Sequence, residues 1–314
     1  MNFGIEGPKI AIVLCTFNGE KYLSEQLQSI KNQTFKNWFL YLSDDGSQDQ
    51  TKQIASDFLI DVGKQKMSIR DGPRTGYAKN FFHNCKSINK YYDYFAFCDQ
   101  DDLWLTNKLE RAIAMLNAAP ERYHKKPKLY CSVAELIDEN GVNFGHSSRR
   151  NGPSFEHSCM ENLAGGNTMV FDSVAKDIFS SIDENLDMVS HDWTLYQIAS
   201  GCGGLVLYDQ APTIKYRIHR ENRLGTKRTI DGRFLRLSKF FKGIYRKQIT
   251  ANICVLKFLE PRLTDAANVS LNELCEGRGS NFWRKLVFLL NSNFKRTSHA
   301  ETLLMKIGNL FGLL

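Results

Sequence analysis

The sequence predicts an α/β fold: a mostly parallel, Rossmann-like sheet flanked by helices, with a helical C-terminal region appended. Three observations carry that expectation. Short β-branched or aromatic runs alternate with helical periodicity through the first half of the chain, the pattern of strands joined by crossover helices. Polar clusters follow the ends of those runs, where ligands of parallel sheets bind. The charge balance changes sign near Asn222: residues 1–222 hold 24 Lys and Arg against 28 Asp and Glu, and residues 223–314 hold 17 against 6. The chain is accordingly divided into 1–222 and a basic, mainly helical region 223–314.

Lys9 to Leu14 is a β-branched apolar run and the first strand. Glu20 to Ile30 then places Leu23, Leu27 and Ile30 on one helical face. Trp38 to Ser43 is the second strand, and the turn Asp44-Asp45-Gly46-Ser47 leads into a helix from Asp49 to Phe58. Lys66 to Arg70 and Tyr94 to Cys98 continue the strands, with a helix expected to start near Leu103. Further on, Leu163 to Phe171 joins Gly165 and Gly166 to a short strand, the alternative being a plain turn before an edge strand, and Trp193 to Ser200 is helical.

At 314 residues, 42% hydrophobic and 24% charged, the composition is that of a water-soluble globular chain with ample core. No run reaches the roughly 20 apolar residues of a membrane span, and the N-terminus lacks a signal peptide's apolar core. Eight scattered cysteines without a C-x-x-C pair argue against zinc and against a disulfide framework. A cytoplasmic location follows as an expectation, with the basic region available for attachment to the inner face of the cell membrane.

The segment F-C-D-Q-D-D-L-W sets Asp99, Asp101 and Asp102 directly after a strand. Crowded carboxylates there read either as a clamp for a hard divalent cation and a substrate diphosphate, or as a solvated turn capping the next helix. Several nucleotide folds are excluded. The first turn, Thr16-Phe17-Asn18-Gly19-Glu20, has no G-x-G-x-x-G, and no G-x-x-x-x-G-K-[ST] occurs anywhere. A haloacid-dehalogenase-type D-x-D would follow the first strand, where Cys15 and Thr16 stand instead.

The ordered blocks I-A-I-V-L-C-T-F-N-G-E-K-Y-L-S-E-Q-L-Q-S-I, N-Q-T-F, L-S-D-D-G-S-Q-D-Q-T, F-C-D-Q-D-D-L-W and H-D-W resemble the family 2 glycosyltransferases of the GT-A fold. Within them the chain is most similar to bacterial rhamnosyltransferase-like enzymes that build surface polysaccharides. The resemblance covers about Lys9 to Asn222. It implies an inverting transferase dependent on Mn²⁺ or Mg²⁺, moving a sugar such as rhamnose from a dTDP- or UDP-sugar donor to a glycan or lipid-linked acceptor.

Carried onto this sequence, the resemblance implies that Cys15, Thr16, Phe17 and Glu20 line the nucleotide pocket and that Asp45 reads a base edge. Asp99 would face the donor, and Asp99 and Asp101 its metal, with Asp102 beside them. Arg74 to Asn80 resembles a glycine turn into a helix, giving Lys79 or Asn80 a donor contact, or else an ordinary exposed helix start. Gly166 would approach the donor sugar, or belong to a plain turn. Asp192 stands where the family carries its base, with His191 replacing the usual preceding acid; its alternative role is a helix N-cap. His219, in Y-R-I-H, would complete the metal shell or be a surface residue.

In the basic region, Phe234, Leu237, Phe241, Ile244 and Tyr245 fall on one helical face and Arg236, Lys239, Lys242, Arg246 and Lys247 on the other. That division suits an anionic membrane surface, or equally a core-facing helix or homo-oligomer contact. Asn281 to Leu290 has a similar mixture. Nucleic acid is not expected as a partner of an active transferase. It belongs to the second reading, a catalytically inactive GT-A-like protein that binds nucleic acid or an anionic surface through its basic tail.

Overall fold

The computed structural model describes residues 7–148, 152–219, 242–279 and 281–314. Four parallel strands form one half of the sheet: β1 (Ile10–Thr16), β2 (Trp38–Asp44), β3 (Met67–Asp71) and β4 (Tyr94–Cys98), in the order β3-β2-β1-β4. Their crossovers carry α1 (Leu23–Lys31), α2 (Thr51–Val62) and α3 (Tyr77–Lys86). Every residue of β1 is buried. Ala11, Val13 and Cys15 enter one core while Ile10, Ile12 and Leu14 enter another, the period-two alternation of a strand covered on both faces. Because the chain runs from β1 to β2 on one side and returns to β4 on the other, the strand order reverses at β1. A crevice outside the carboxyl ends of β1 and β4 follows.

The second half of the sheet is mixed. It contains β5 (Leu103–Trp104), β6 (Lys128–Ile137), β7 (Asn143–His146), β8 (Val170–Asp172) and β9 (Leu205–Arg217). The order continues β4-β8-β6-β9-β5, with β7 on β6. Here β6 and β9 are parallel, whereas β8 runs antiparallel to both β4 and β6. Helices α4 (Lys108–Asn117), α5 (Phe155–Met160), α6 (Ser173–Ser180) and α7 (His191–Gly201) complete this part.

Several expectations are corrected. No helix starts near Leu103, because Leu103 and Trp104 pair with Lys215 and Ile214 of β9; α4 begins only at Lys108. Strand β8 is internal, flanked by β4 and β6, and not an edge. Helix α1 starts at Leu23, after Tyr22 N–H and Leu23 N–H have both bonded Gly19 O. The α7 cap is Ser190, which puts Asp192 inside the first turn.

Helices α8 (Ile244–Phe258), α9 (Asp265–Gly277), α10 (Phe282–Asn291) and α11 (His299–Leu310) follow. They build a third core in which Ile249, Ile253, Leu256 and Phe288 meet Phe155, Cys159 and Met160 of α5. Of the amphipathic segment Phe234 to Lys247, residues 234–241 lie outside the described residues. Among the described residues no helix is long and apolar enough to cross a membrane.

Candidate active site

The loop after β1 is built by hydrogen bonds from β2 and the turn that follows it. Thr16 Oγ1 donates to Asp44 Oδ1 at 3.0 Å, and Asp44 also accepts from the backbone N–H groups of Gly46 and Ser47. Glu20 Oε2 accepts from Gln50 N–H at 2.9 Å. Thr16 and Glu20 therefore shape the loop, and their side chains are engaged within it. Cys15 is a wall residue whose thiol burial pushes well above its ordinary pKa. Phe17 turns its ring outward, 56% exposed, while Gln100 clamps its backbone by accepting from Phe17 N–H at 2.9 Å and donating to Phe17 O at 3.0 Å.

Asp45 grips a second loop. Its Oδ1 accepts from Arg74 N–H at 2.6 Å and its Oδ2 from Gly76 N–H at 3.0 Å. Gly76 has φ +94° and Arg74 φ +58°, so this turn needs a glycine and an outside anchor. Each carboxylate oxygen retains capacity for one more donor. Asn80 departs from expectation: it is buried, accepts from Ser43 Oγ at 2.6 Å and donates to Ser43 O at 3.2 Å, fixing α3 to β2. Lys79, one position earlier, is half-buried.

The acidic block divides its labour. Asp102 is buried, accepting from Asn167 Nδ2 and from Arg217 N–H at 3.2 Å. Asp101 Oδ2 lies 2.7 Å from His219 Nε2. Burial first, then the charges of Asp101 and Asp192, push the Asp99 carboxyl up to about 8. The fully buried guanidinium of Arg217 joins these parts, with Nε on Asp101 O at 3.1 Å, one terminal nitrogen on Glu139 O at 3.1 Å and the other on Glu25 Oε2 at 2.7 Å.

The 3₁₀ turn at Gly166–Thr168 connects this block to α7. Asn167 holds Asp102 with its side chain and accepts from buried Lys108 Nζ at 2.9 Å with its carbonyl. Desolvation by burial lowers the Lys108 ammonium to about 7. Gly166 N–H donates to Asp192 Oδ2 at 3.1 Å, and Trp193 N–H to Asp192 Oδ1 at 2.8 Å. Beside them His191 stacks on Phe81 at 3.9 Å and meets Phe97 edge-on at 4.6 Å. Burial lowers its imidazole to about 4, so it is neutral near pH 7.

Sequence reasoning missed Arg217, Asn167, Lys108 and Gln100, whose roles depend on long-range pairing that no local pattern announces. It also missed Tyr77 at the start of α3, which is exposed as a residue yet sets its ring edge-on to His191 at 6.2 Å, where local desolvation first and then Asp192 and Asp99 raise its phenol.

Among the described residues no three His, Cys, Asp or Glu side chains converge as a ready-made cation cage. Asp101 and His219, brought within 2.7 Å of each other beside half-buried Asp99, offer instead a partial set of hard oxygen and imidazole donors. That set fits a Mg²⁺- or Mn²⁺-type ion, which commonly takes one or two protein carboxylates and completes its shell with phosphate oxygens and water.

Residues 11–125 match the family model for glycosyl transferase family 2. The dTDP-rhamnosyl transferase RfbG of Shigella flexneri is 28% identical over 305 residues, covering 95% of this chain and 100% of that protein. The crystal structure of S. aureus TarS 1–349 in complex with UDP-GlcNAc superposes with a TM-score of 0.55 at 17% identity, covering 97% of this chain and 81% of that one. The mannosyltransferase PcManGT from Pyrobaculum calidifontis, in complex with GDP-Man and Mn²⁺, gives a TM-score of 0.50 at 13% identity, over 98% of this chain and 86% of that one. At these identities the structural likeness shows the GT-A fold.

Proposed function

We propose that this chain, a glycosyltransferase whose residues 11–125 form a family 2 segment, moves a sugar from a nucleoside diphosphate to a hydroxyl of a glycan or lipid-linked acceptor, inverting the anomeric centre. The donor we favour is a dTDP- or UDP-sugar and the sugar rhamnose, supported by the full-length similarity to a dTDP-rhamnosyl transferase and by the UDP-GlcNAc held in a chain of the same fold.

The observation that carries the reading is one hydrogen-bonded frame linking Asp101 and His219, through Arg217, Asp102 and Asn167, to Gly166 and Asp192. The nucleotide would lie against Cys15, the exposed ring of Phe17 and Asp45, which can add an imide N–H to its two backbone donors. Lys79 would reach the diphosphate. Asp99, Asp101 and His219 would hold Mn²⁺ or Mg²⁺, which when bound supplies positive charge to the diphosphate leaving group. Asp192 accepts the proton of the attacking hydroxyl. Its two backbone donors fix the carboxylate's orientation and leave lone pairs for that proton. The neutral His191 ring keeps a second positive charge away from the base.

Thermal unfolding with dTDP or UDP tests the donor site. Nucleotide should raise the melting temperature more with Mn²⁺ than without, and Asp101→Asn should abolish that metal-dependent increment while leaving the unliganded protein folded. An increment retained in Asp101→Asn would remove Asp101 from the site.

A further inference from the structure

We propose that α10 and α11 together form a docking face for an anionic lipid bilayer, a role independent of the catalytic reading. On α10 the inward anchor is Phe288, the helix's one fully buried side chain, stacked on Phe294 at 5.4 Å and covering Gly277. On α11 Met305, Gly308 and Asn309 face inward, with Asn309 Nδ2 donating to Gly277 O at 2.7 Å. A helix packed by one face ordinarily turns polar residues outward. These two do the reverse.

Opposite Phe288, α10 presents Phe282, Trp283, Val287 and Leu290. Opposite Met305 and Gly308, α11 presents Leu303 and Ile307, with Phe311 just past its end. These seven side chains are 41% to 76% exposed. The helices are neighbours, and Lys285 of α10 lies beside Gly312 just past α11, so both stripes belong to one pair of packed helices. Isolated exposed apolar residues are ordinary; seven on two adjoining helices mark an interaction surface.

Charge identifies the occupant. Residues 281–314 hold five Lys and Arg and one Glu. Arg284 and Lys285 lie on α10 itself, exposed Lys295 lies in the connection between the two helices, and Lys306 of α11 donates to Ser292 O at 2.7 Å. Glu276 offsets Arg284 at 3.7 Å, Glu301 offsets Arg296 at 3.2 Å, and Glu273 lies within electrostatic reach of Lys306, which still leaves the segment 281–314 itself with five cations against one carboxylate. Aromatic and aliphatic side chains accompanied by cations match the boundary between acyl chains and anionic headgroups. A second copy of this chain matches less well, because a two-fold contact would set the same basic segment against itself.

The test is co-sedimentation of the full chain with phosphatidylcholine vesicles containing about one-third phosphatidylglycerol, and with pure phosphatidylcholine vesicles. The wild type should pellet with the anionic vesicles, be released by raised salt and bind the neutral ones far less. The triple variant Trp283→Ser, Val287→Ser and Leu303→Ser, altered only at exposed positions, should keep its fold by circular dichroism and lose at least about tenfold in vesicle affinity. Equal binding by the triple variant would overturn the proposal, as would wild-type binding indifferent to lipid charge. A wild-type dimer that the substitutions convert to monomer, without vesicle binding by either form, would assign the face to a second copy.

Discussion

Gly166→Ala probes the joint between the two ends of the site. A Cβ there would stand 2.5 Å from His191 Nε2 and 3.3 Å from Asp192 Cβ. The His191 ring cannot retreat, since Phe81 lies against one face at 3.9 Å and Phe97 against its edge at 4.6 Å. The Gly166 backbone must move instead, drawing its N–H off Asp192 Oδ2. Overpacking of this kind costs about 1–3 kcal/mol, offset by roughly 0.4–1 kcal/mol from the reduced freedom of the unfolded chain. The turn at Gly166 has no positive φ, so backbone strain adds nothing to the sum. In a His191→Ala background the obstructing ring is gone and Gly166→Ala should be close to neutral. Urea unfolding of the wild type, both single variants and the double variant closes the cycle, with an expected coupling of about 1–2 kcal/mol. Additivity within about 0.5 kcal/mol would refute the claim that His191 requires glycine at 166.

Two further outcomes concern groups inside the frame. Arg217→Met leaves Asp101 O and Glu139 O without their donor and should reduce stability by about 3 kcal/mol in urea unfolding, a loss below about 1 kcal/mol being inconsistent with a clamp. His191 is held neutral, its pKa lowered from the ordinary 6.5 to about 4 by burial. The unfolded chain therefore takes up a proton first as pH falls. Wild-type stability should drop between pH 6.5 and about 4 by up to about 3 kcal/mol relative to His191→Phe, and parallel pH profiles would contradict the assignment.

How much of this was legible depends on how local each signal is. Strands β1, β2 and β4 announce themselves because buried strands are written as nearly continuous apolar runs, and Tyr94–Cys98 falls where the pattern sets it. The crowding of Asp99, Asp101 and Asp102 after β4, and the place of Asp192 at a helix start, can likewise be read from F-C-D-Q-D-D-L-W and H-D-W, although helix capping competes with catalysis for such carboxylates. Asn80 was misjudged because a helix start facing a crevice and one facing the sheet share a sequence; only the Ser43 pairing tells them apart. Leu103–Trp104 became a strand through a partner, β9, more than a hundred residues away. Arg217 and Lys108 were illegible for the same reason. A buried cation carries no local mark, and the acceptors of these two lie 59 to 192 residues away in sequence.

Donor turnover tests the central claim most directly. A panel of dTDP- and UDP-sugars, dTDP-rhamnose included, is incubated with the wild type, Asp192→Asn and Asp101→Asn, and release of nucleoside diphosphate is followed with and without Mn²⁺ in the presence of a candidate hydroxyl acceptor. The account predicts turnover of one sugar nucleotide that requires the metal, is abolished in Asp101→Asn, and falls at least about a hundredfold in Asp192→Asn while the donor's binding constant barely changes. Turnover indifferent to metal, or an Asp192→Asn variant that transfers at the wild-type rate, would contradict it.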